Sequence, residues 1–567
     1  MLRRPQPGSP APESAGAPRL AADLFVECLE NEEVEFVFGI PGEETLDLSE
    51  ALDRSRRITF VPTRHEQGAA FMADAYGRLT GQPGVCLATL GPGATNLATG
   101  VGDATLDNAP LVALTGQTGL AGMHKETTHQ FIDTVEMLRP MTKWNTRVHH
   151  PHMVVEAVRK AFSTAVAEKP GATHLELPAD VMAAPATGRP MPRSPAPPAA
   201  ADPVSLLRTA ELIQAAERPV ILAGNGVVRQ GASQALRALC EQTGLHVVTT
   251  FMGKGVLDAA DSHFLFTAGL SSQNYAKGLL GETDLVLCVG YDQIEWPPSA
   301  WNPDGRHRIV CIDTVPPEID AHFVPEVELL GDLSTILYQV SRLLEGKAVS
   351  RLETRPYRRA FRTVLDSGSD DDFPVKPQRV LRDLRAVLGA EDILISDVGA
   401  HKLWVARFWE AREPNTVLIS NGFAAMGFAV PAAIAAALAT RGRRRVVCVC
   451  GDGGFLMNVQ ELETARRLGL PFVAVVWSDG GYGLIEMHQR RRYGRIAGTR
   501  FDNPDFVALA HSFRVEGLRA ARAGDVRPLL ERALAHPGPV VLDIPIDYAE
   551  NAKLGVDLWQ LAPEALG

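Results

Sequence analysis

The chain has 567 residues, of which 46% are hydrophobic and 22% charged, and a net charge of −11. That length exceeds what one core organises and predicts about three domains of ordinary globular composition. The acidic balance excludes a general binder of nucleic acid or anionic membranes but leaves small anionic substrates open.

No stretch approaches the ~20 apolar residues of a membrane span. The seven cysteines include no CxxC pair, which fits a reducing cytoplasm. Residues 1–18, rich in Pro, Ala, Gly and Ser, have no apolar segment for a secretory signal and are expected to form a disordered tail. RLAADLFVECLEN (19–31) has the apolar spacing of an amphipathic helix. VEFVFGIPGEETLDLSEAL then reads as strand, tight turn at Pro41-Gly42, and helix. ITFVPTRHEQGAAFMADAYGRLTG reads as a strand and a long Ala-rich helix starting near Glu66. GVCLATLGPGATNLATGVGDATLDNAPLVALTGQ gives strand, glycine turn, helix and strand. This β–α–β alternation predicts a parallel sheet that ends near the strand HLELPADV (174–181), in a first domain over 19–185.

Residues 182–203 are a linker stiffened by proline. A second domain, 204–345, contains the strands PVILAGNG, HVVTTF, DLVLCVGY and HRIVCIDT. Its Gly224, Gly226 and Gly231 lack the GxGxxG spacing, so it reads as a Rossmann-like structural domain. Residues 346–375 are charged and read as a helical or connecting segment. The third domain, 376–550, starts with a helix and closes with the strand PGPVVLDIPID. The first and third domains share one rhythm, as two related domains would. The fold class is therefore α/β, with three doubly wound parallel-sheet domains.

The chemistry concentrates between Val446 and Ile485. An apolar strand ends in Gly451-Asp452-Gly453-Gly454, a helix follows, and a second apolar strand ends in Ser478-Asp479-Gly480-Gly481. In a right-handed βαβ unit both strand ends share one sheet edge, where ligands of α/β folds bind. Two carboxylates and exposed carbonyls suit a hard cation such as Mg²⁺, and glycines let backbone N–H groups approach phosphates. Asp and Gly are also ordinary turn formers, and a lone GDG would read as a turn.

These motifs resemble the thiamine-diphosphate (ThDP) signature, and the Asp after a Trp-ended strand resembles the FAD-free, catabolic type of acetolactate synthase. The resemblance implies three domains that bind the pyrimidine, form a central Rossmann-like unit and bind the diphosphate. It implies Asp452, Asp479 and the Gly481 carbonyl as Mg²⁺ ligands, with Gly453, Gly454, Tyr482 and Gly483 beside the cofactor. RHEQGAAFMA and GVCLATLGPGATNL resemble the thiamine-binding module of that family. Glu66 is thereby implied as the catalytic carboxylate that hydrogen-bonds N1′ of the aminopyrimidine and promotes loss of the thiazolium C2 proton. Without the resemblance, Glu66 is a helix-start carboxylate.

Pro41 and Gly42 match the loop near the pyrimidine. Val398, Gly399, Ala400 and His401 match the diphosphate loop. Met426 matches the bulky residue that bends the cofactor, though core packing is its plain reading. Gln130, Leu484, Met487 and His488 are substrate-side candidates, and Lys143 matches a lysine near the entrance. His488 replaces a Trp that favours 2-oxobutyrate in biosynthetic relatives, which suggests pyruvate is used twice. Lys125 and Ala400 depart from those relatives. GYDQIEWPPSAWNP (290–303) stands where they carry a flavin motif, so FAD is expected to be absent. The implied activity joins two pyruvates into 2-acetolactate and CO₂, in a cytoplasmic homodimer or homotetramer with Glu66 and Asp452 supplied by different subunits. Another ThDP-dependent decarboxylase or carboligase, or an inactive relative, are the alternatives.

Overall fold

The computed structural model describes residues 19–193, 199–269, 275–347, 349, 352–367 and 371–555. The expected tail at 1–18 and the middle of the proline-rich linker lie outside them.

Three six-stranded sheets organise the chain, and every strand pairing within them is parallel. Helices cover both faces, so central strands are nearly continuous apolar runs. Leu111–Gln117 and Leu285–Val289 are buried at every position.

The first sheet runs Thr59–Pro62, Phe36–Gly39, Gly84–Ala88, Leu111–Gln117, Ala172–Pro178, Trp144–Arg147. The third runs Val417–Ile419, Ile393–Ser396, Val446–Gly451, Val473–Ser478, Val540–Pro545, Glu516–Arg519. Numbered by chain position within each sheet, both have the order 2-1-3-4-6-5. The rhythm shared by the first and third segments is thus a shared topology. The central sheet runs Phe264–Thr267, His246–Thr249, Pro219–Ala223, Leu285–Val289, Arg308–Asp313, Val327–Leu330, which is the dinucleotide-type order 3-2-1-4-5-6.

The structure adds strands that the apolar pattern does not reveal. Trp144–Arg147, Val327–Leu330 and Glu516–Arg519 are short and only partly buried, so they carry no continuous apolar run. The expected strand 174–181 stops at Pro178, and Ala179–Met182 is a short helix instead, because Pro178 caps its start. Arg19–Leu20 pairs antiparallel with Pro185–Ala186. The charged connection contains the helix Arg355–Asp366, which buries Tyr357, Ala360, Val364 and Leu365.

One core runs through the first and third sheets. Small residues on Glu66–Thr80 and on the Ala-rich helix Ala429–Ala439 let these helices pack closely. Phe71 meets Phe428 edge-on at 5.6 Å. This packing fixes how the two sheet edges sit relative to each other. Among the described residues no helix is long and apolar enough to cross a membrane.

Candidate active site

At the C-terminal edge of the third sheet, a cleft of about 170 Å³ is lined by Val398–His401, Met426, Asp452–Gly454, Asp479, Gly481–Ile485 and Tyr548, among others. The strand Val446–Gly451 delivers Asp452 to the first position of the helix Asp452–Met457. Asp452 is 1% exposed. Its Oδ1 accepts from Gly453 N (2.8 Å), and its Oδ2 from Asp479 N (3.0 Å), Gly480 N (2.7 Å) and Asn503 Nδ2 (2.7 Å). One carboxylate thus draws both strand ends and a later loop together. Burial and the facing Asp452 push Asp479 up to about 7, against the pull of Arg500.

The residues fit a hard cation. Asp479 Oδ1 and Asn503 Oδ1 are buried acceptors with no hydrogen-bond partner. In the turn, the Asp479 carbonyl accepts from Arg500 Nη1 (2.8 Å) and the Gly480 carbonyl from Phe501 N (3.2 Å). Among the described residues no donor reaches the Gly481 carbonyl. Buried acceptors without donors in a carboxylate pair are what an oxygen-coordinated dication satisfies.

The glycines are required by close approach. A Cβ on Gly453 would stand 2.7 Å from the Tyr482 ring, and one on Gly399 would stand 2.8 Å from His401. Burial pushes His401 down to about 3, so its imidazole is neutral, and its Nε2 is buried without a partner. Met426 is half-buried on the cleft wall and does not belong to the core. Leu484 also lines the wall, whereas Met487 turns into the core and His488 is exposed away from it.

A second constellation sits at the matching edge of the first sheet. Glu66 opens the helix Glu66–Thr80 at 8% exposure, and its Oε2 accepts from Asn96 Nδ2 at 2.9 Å. Its Oε1 lies where a Cβ on Gly93 would come within 3.3 Å. Gly42 packs so closely on Thr89 that a Cβ there would be 2.4 Å away, and Pro41 beside it is exposed. Gln130, exposed at φ 58°, places its carbonyl 2.4 Å from where a Gly91 Cβ would stand. His124, Lys125 and His129 are exposed in the same loop. Lys143 is committed elsewhere: its Nζ donates to the Ala167 and Lys169 carbonyls. None of these residues lines the third-sheet cleft.

Several residues were missed by sequence reasoning. Asp397 is fully buried and accepts from Val398 N (2.6 Å) and Gly427 N (2.9 Å), tying the His401 turn to the Met426 loop. Burial pushes it up to about 6. Glu461 of the third sheet's domain accepts from Arg64 N and His65 N, both at 3.0 Å, at the start of the Glu66 helix. Tyr548 walls the cleft. The local signal for the two acids was weak: a lone acid in DVG or in QELE has no spacing partner.

The central sheet's edge is built differently. Gly224 N bonds Val289 O (2.9 Å) and Gly226 N bonds Gly290 O (2.8 Å), directly across the point where the strand order reverses. Glu295 is 1% exposed and takes Asn225 N (3.2 Å) on Oε1 and Met252 N (2.9 Å) on Oε2. Arg229 Nη1 donates to Asp292 at 2.6 Å. The backbone donors that would face a phosphate in such a fold are held by a side chain of the same domain.

Three family models match the chain in series: the N-terminal TPP binding domain of thiamine pyrophosphate enzymes over residues 19–137, their central domain over 206–340, and their C-terminal TPP binding domain over 397–544. The fold and its glycine-lined edges are those of a thiamine-diphosphate-binding enzyme. The chain is 36% identical to the acetolactate synthase of Bacillus subtilis (strain 168), covering 94% of this chain and 95% of that protein. It is 35% identical to a catabolic acetolactate synthase of Raoultella terrigena, covering 94% and 96%. A probable acetolactate synthase large subunit of Methanocaldococcus jannaschii is 34% identical, covering 93% and 92%. The chain therefore belongs to the acetolactate synthase family of thiamine-diphosphate enzymes.

Proposed function

We propose that the protein is an acetolactate synthase: it decarboxylates one pyruvate and joins the remaining two-carbon unit to a second, giving 2-acetolactate and CO₂. The observation that carries this reading is the pair of matched sheet edges, one offering Glu66 and the other an unsaturated carboxylate turn. Bound thiamine diphosphate supplies the carbon nucleophile and electron sink that the decarboxylation needs.

Asp452, Asp479 and the Gly481 carbonyl would hold Mg²⁺, and the backbone of Gly399, Ala400 and Gly454 would serve the diphosphate. Glu66, steadied by Asn96, holds a proton at the cofactor's ring nitrogen. Met426, Leu484 and Ile485 give the cleft an apolar wall, which keeps out the water whose proton would divert the reaction to acetaldehyde. We infer that Glu66 comes to the cleft from a second copy in a homodimer or homotetramer, a reading supported by the cleft's lining, which comes from the third sheet's domain. FAD is absent from the working enzyme, a reading supported by Glu295 and the Gly224–Gly290 approach at the central edge. Seven buried, unpaired cysteines support a cytoplasmic location.

The test is complementation with product analysis. Glu66→Gln and Asp452→Ala, each inactive alone, are co-expressed and given pyruvate, ThDP and Mg²⁺. Shared sites restore about a quarter of wild-type activity, because half of randomly mixed dimers carry one intact centre. Acetolactate, converted by acid to acetoin, is the expected product. Acetaldehyde as the main product from wild type would overturn the synthase reading, and no recovery on mixing would overturn the shared site.

A further inference from the structure

Glu486 and Arg500 adjoin the Asp479 turn and are not among the residues that line the cleft. Glu486 is 5% exposed on the helix Gly483–Tyr493. Arg500 grips it at two points, a hydrogen bond from Nη2 to Oε2 and an ion-pair contact of Nε with Oε1, both 2.6 Å. Thr499 adds its hydroxyl to Oε1 at 3.1 Å. The same guanidinium donates Nη1 to the Asp479 carbonyl at 2.8 Å and lies 3.7 Å from Asp479 Oδ2. Around it, Thr499–Phe501 runs antiparallel to Gly480–Tyr482. Tyr482 N bonds Thr499 O at 3.0 Å, Phe501 N bonds Gly480 O at 3.2 Å, and Gly481 bridges Arg500. The carboxylate and guanidinium press on the Gly481 α-carbon, where a Cβ would come 3.0 Å from Glu486 Oε1 and 3.3 Å from Arg500.

We propose that Arg500 and Glu486 are positioning residues that clamp this turn in the register a cation needs. The inference rests on the reading that Asp452, Asp479 and the Gly481 carbonyl hold Mg²⁺. Arg500 occupies the Asp479 carbonyl and the adjoining Phe501 N the Gly480 carbonyl, which leaves the third, at Gly481, without a donor among the described residues. By anchoring the Asp479 backbone, the clamp keeps Asp479 Oδ1 buried and unpaired beside Asp452. A bidentate guanidinium–carboxylate pair has a fixed planar geometry that a lysine cannot copy. Neither side chain needs to touch cofactor or substrate.

The test is the Mg²⁺ concentration that half-saturates ThDP binding, read by equilibrium dialysis without turnover, in wild type, Arg500→Gln, Arg500→Lys, Glu486→Gln and the double variant. Wild type that binds no ThDP in Mg²⁺ would defeat the cation reading itself and leave the clamp without an object. Where wild type binds, the half-saturation point should rise about tenfold in either single Gln variant. The double variant should rise little further, since the pair acts as one unit, and Arg500→Lys should fall between. Excess Mg²⁺ should restore kcat to within about twofold, a split between cation affinity and turnover that follows from positioning. An unchanged half-saturation point would overturn the clamp. So would lost binding that excess Mg²⁺ cannot restore in variants with lowered Tm, which marks a fold support only.

Discussion

The edges of the third and central sheets both lie where parallel α/β folds meet ligands, and they have opposite fates. At the third, Asp452 Oδ2 is spent on organising the turn while Asp479 Oδ1, Asn503 Oδ1 and the Gly481 carbonyl keep lone pairs unspent. At the central edge, Glu295 takes Asn225 N and Met252 N, and glycine backbones bond directly across the switch point. Parallel topology supplies a ligand-ready edge in both cases. Whether a ligand has room there depends on whether the polar atoms already have partners. The first sheet shares the third's strand order, yet offers Glu66 with one amide donor and no second carboxylate bonded to it.

The largest expected effect is at Glu66. Glu66→Gln keeps the shape and the Asn96 contact but removes the carboxylate, so turnover should fall by about 10²–10⁴ while circular dichroism stays unchanged. Activity near wild type would remove the first edge from the site. Asp452→Ala comes next. It strands the Asp479 and Gly480 amides and the Asn503 side chain, and ThDP affinity in Mg²⁺, measured by dialysis, should drop about 10–100-fold. Unchanged affinity would erase the distinction between the third edge and the central one.

Glu295→Ala probes the sealed edge. Two buried donors lose their acceptor, and denaturant titration should show about 3 kcal/mol of lost stability. Purified wild type should have no visible flavin absorption, and a yellow chromophore would mean the central edge is open. The smallest effect is at Glu461, where burial raises the carboxyl from 4.5 to about 7. An acid raised on folding contributes stability fully below its unfolded value and loses it as pH climbs through its folded value. From pH 8 down to pH 5, wild type should therefore gain about 2 kcal/mol relative to Glu461→Gln, read from unfolding curves. Parallel curves would show that Glu461 is not held as the structure has it.

Much of this was legible in the chain before its structure. Apolar runs ending in Asp-Gly located the third edge, because strand ends leave local marks, whereas Glu66 stood out from an ordinary helix-start carboxylate only through the family resemblance. The partners of those groups left none. Asp397 needs Gly427 across 30 positions, Glu461 needs Arg64 across 397, and Glu295 needs Asn225 across 70. No spacing rule spans such separations, which close only when sheets and helices pack. Edge strands such as Glu516–Arg519 escaped for a different reason: one side faces solvent, so their apolar content is diluted. Leu484 and Met487, three positions apart on one helix, looked equivalent as wall residues; both pack on one core, and Leu484 alone of the two also lines the cleft.

Glu295 has a thermodynamic meaning beyond closing an edge. A domain that completes its hydrogen bonds with a diffusible anion gains stability that rises with that anion's concentration and vanishes when supply fails. An acceptor tethered to the same chain cannot be diluted. The Asn225 and Met252 amides therefore keep their acceptor whatever the concentration of any diffusible anion around the central domain.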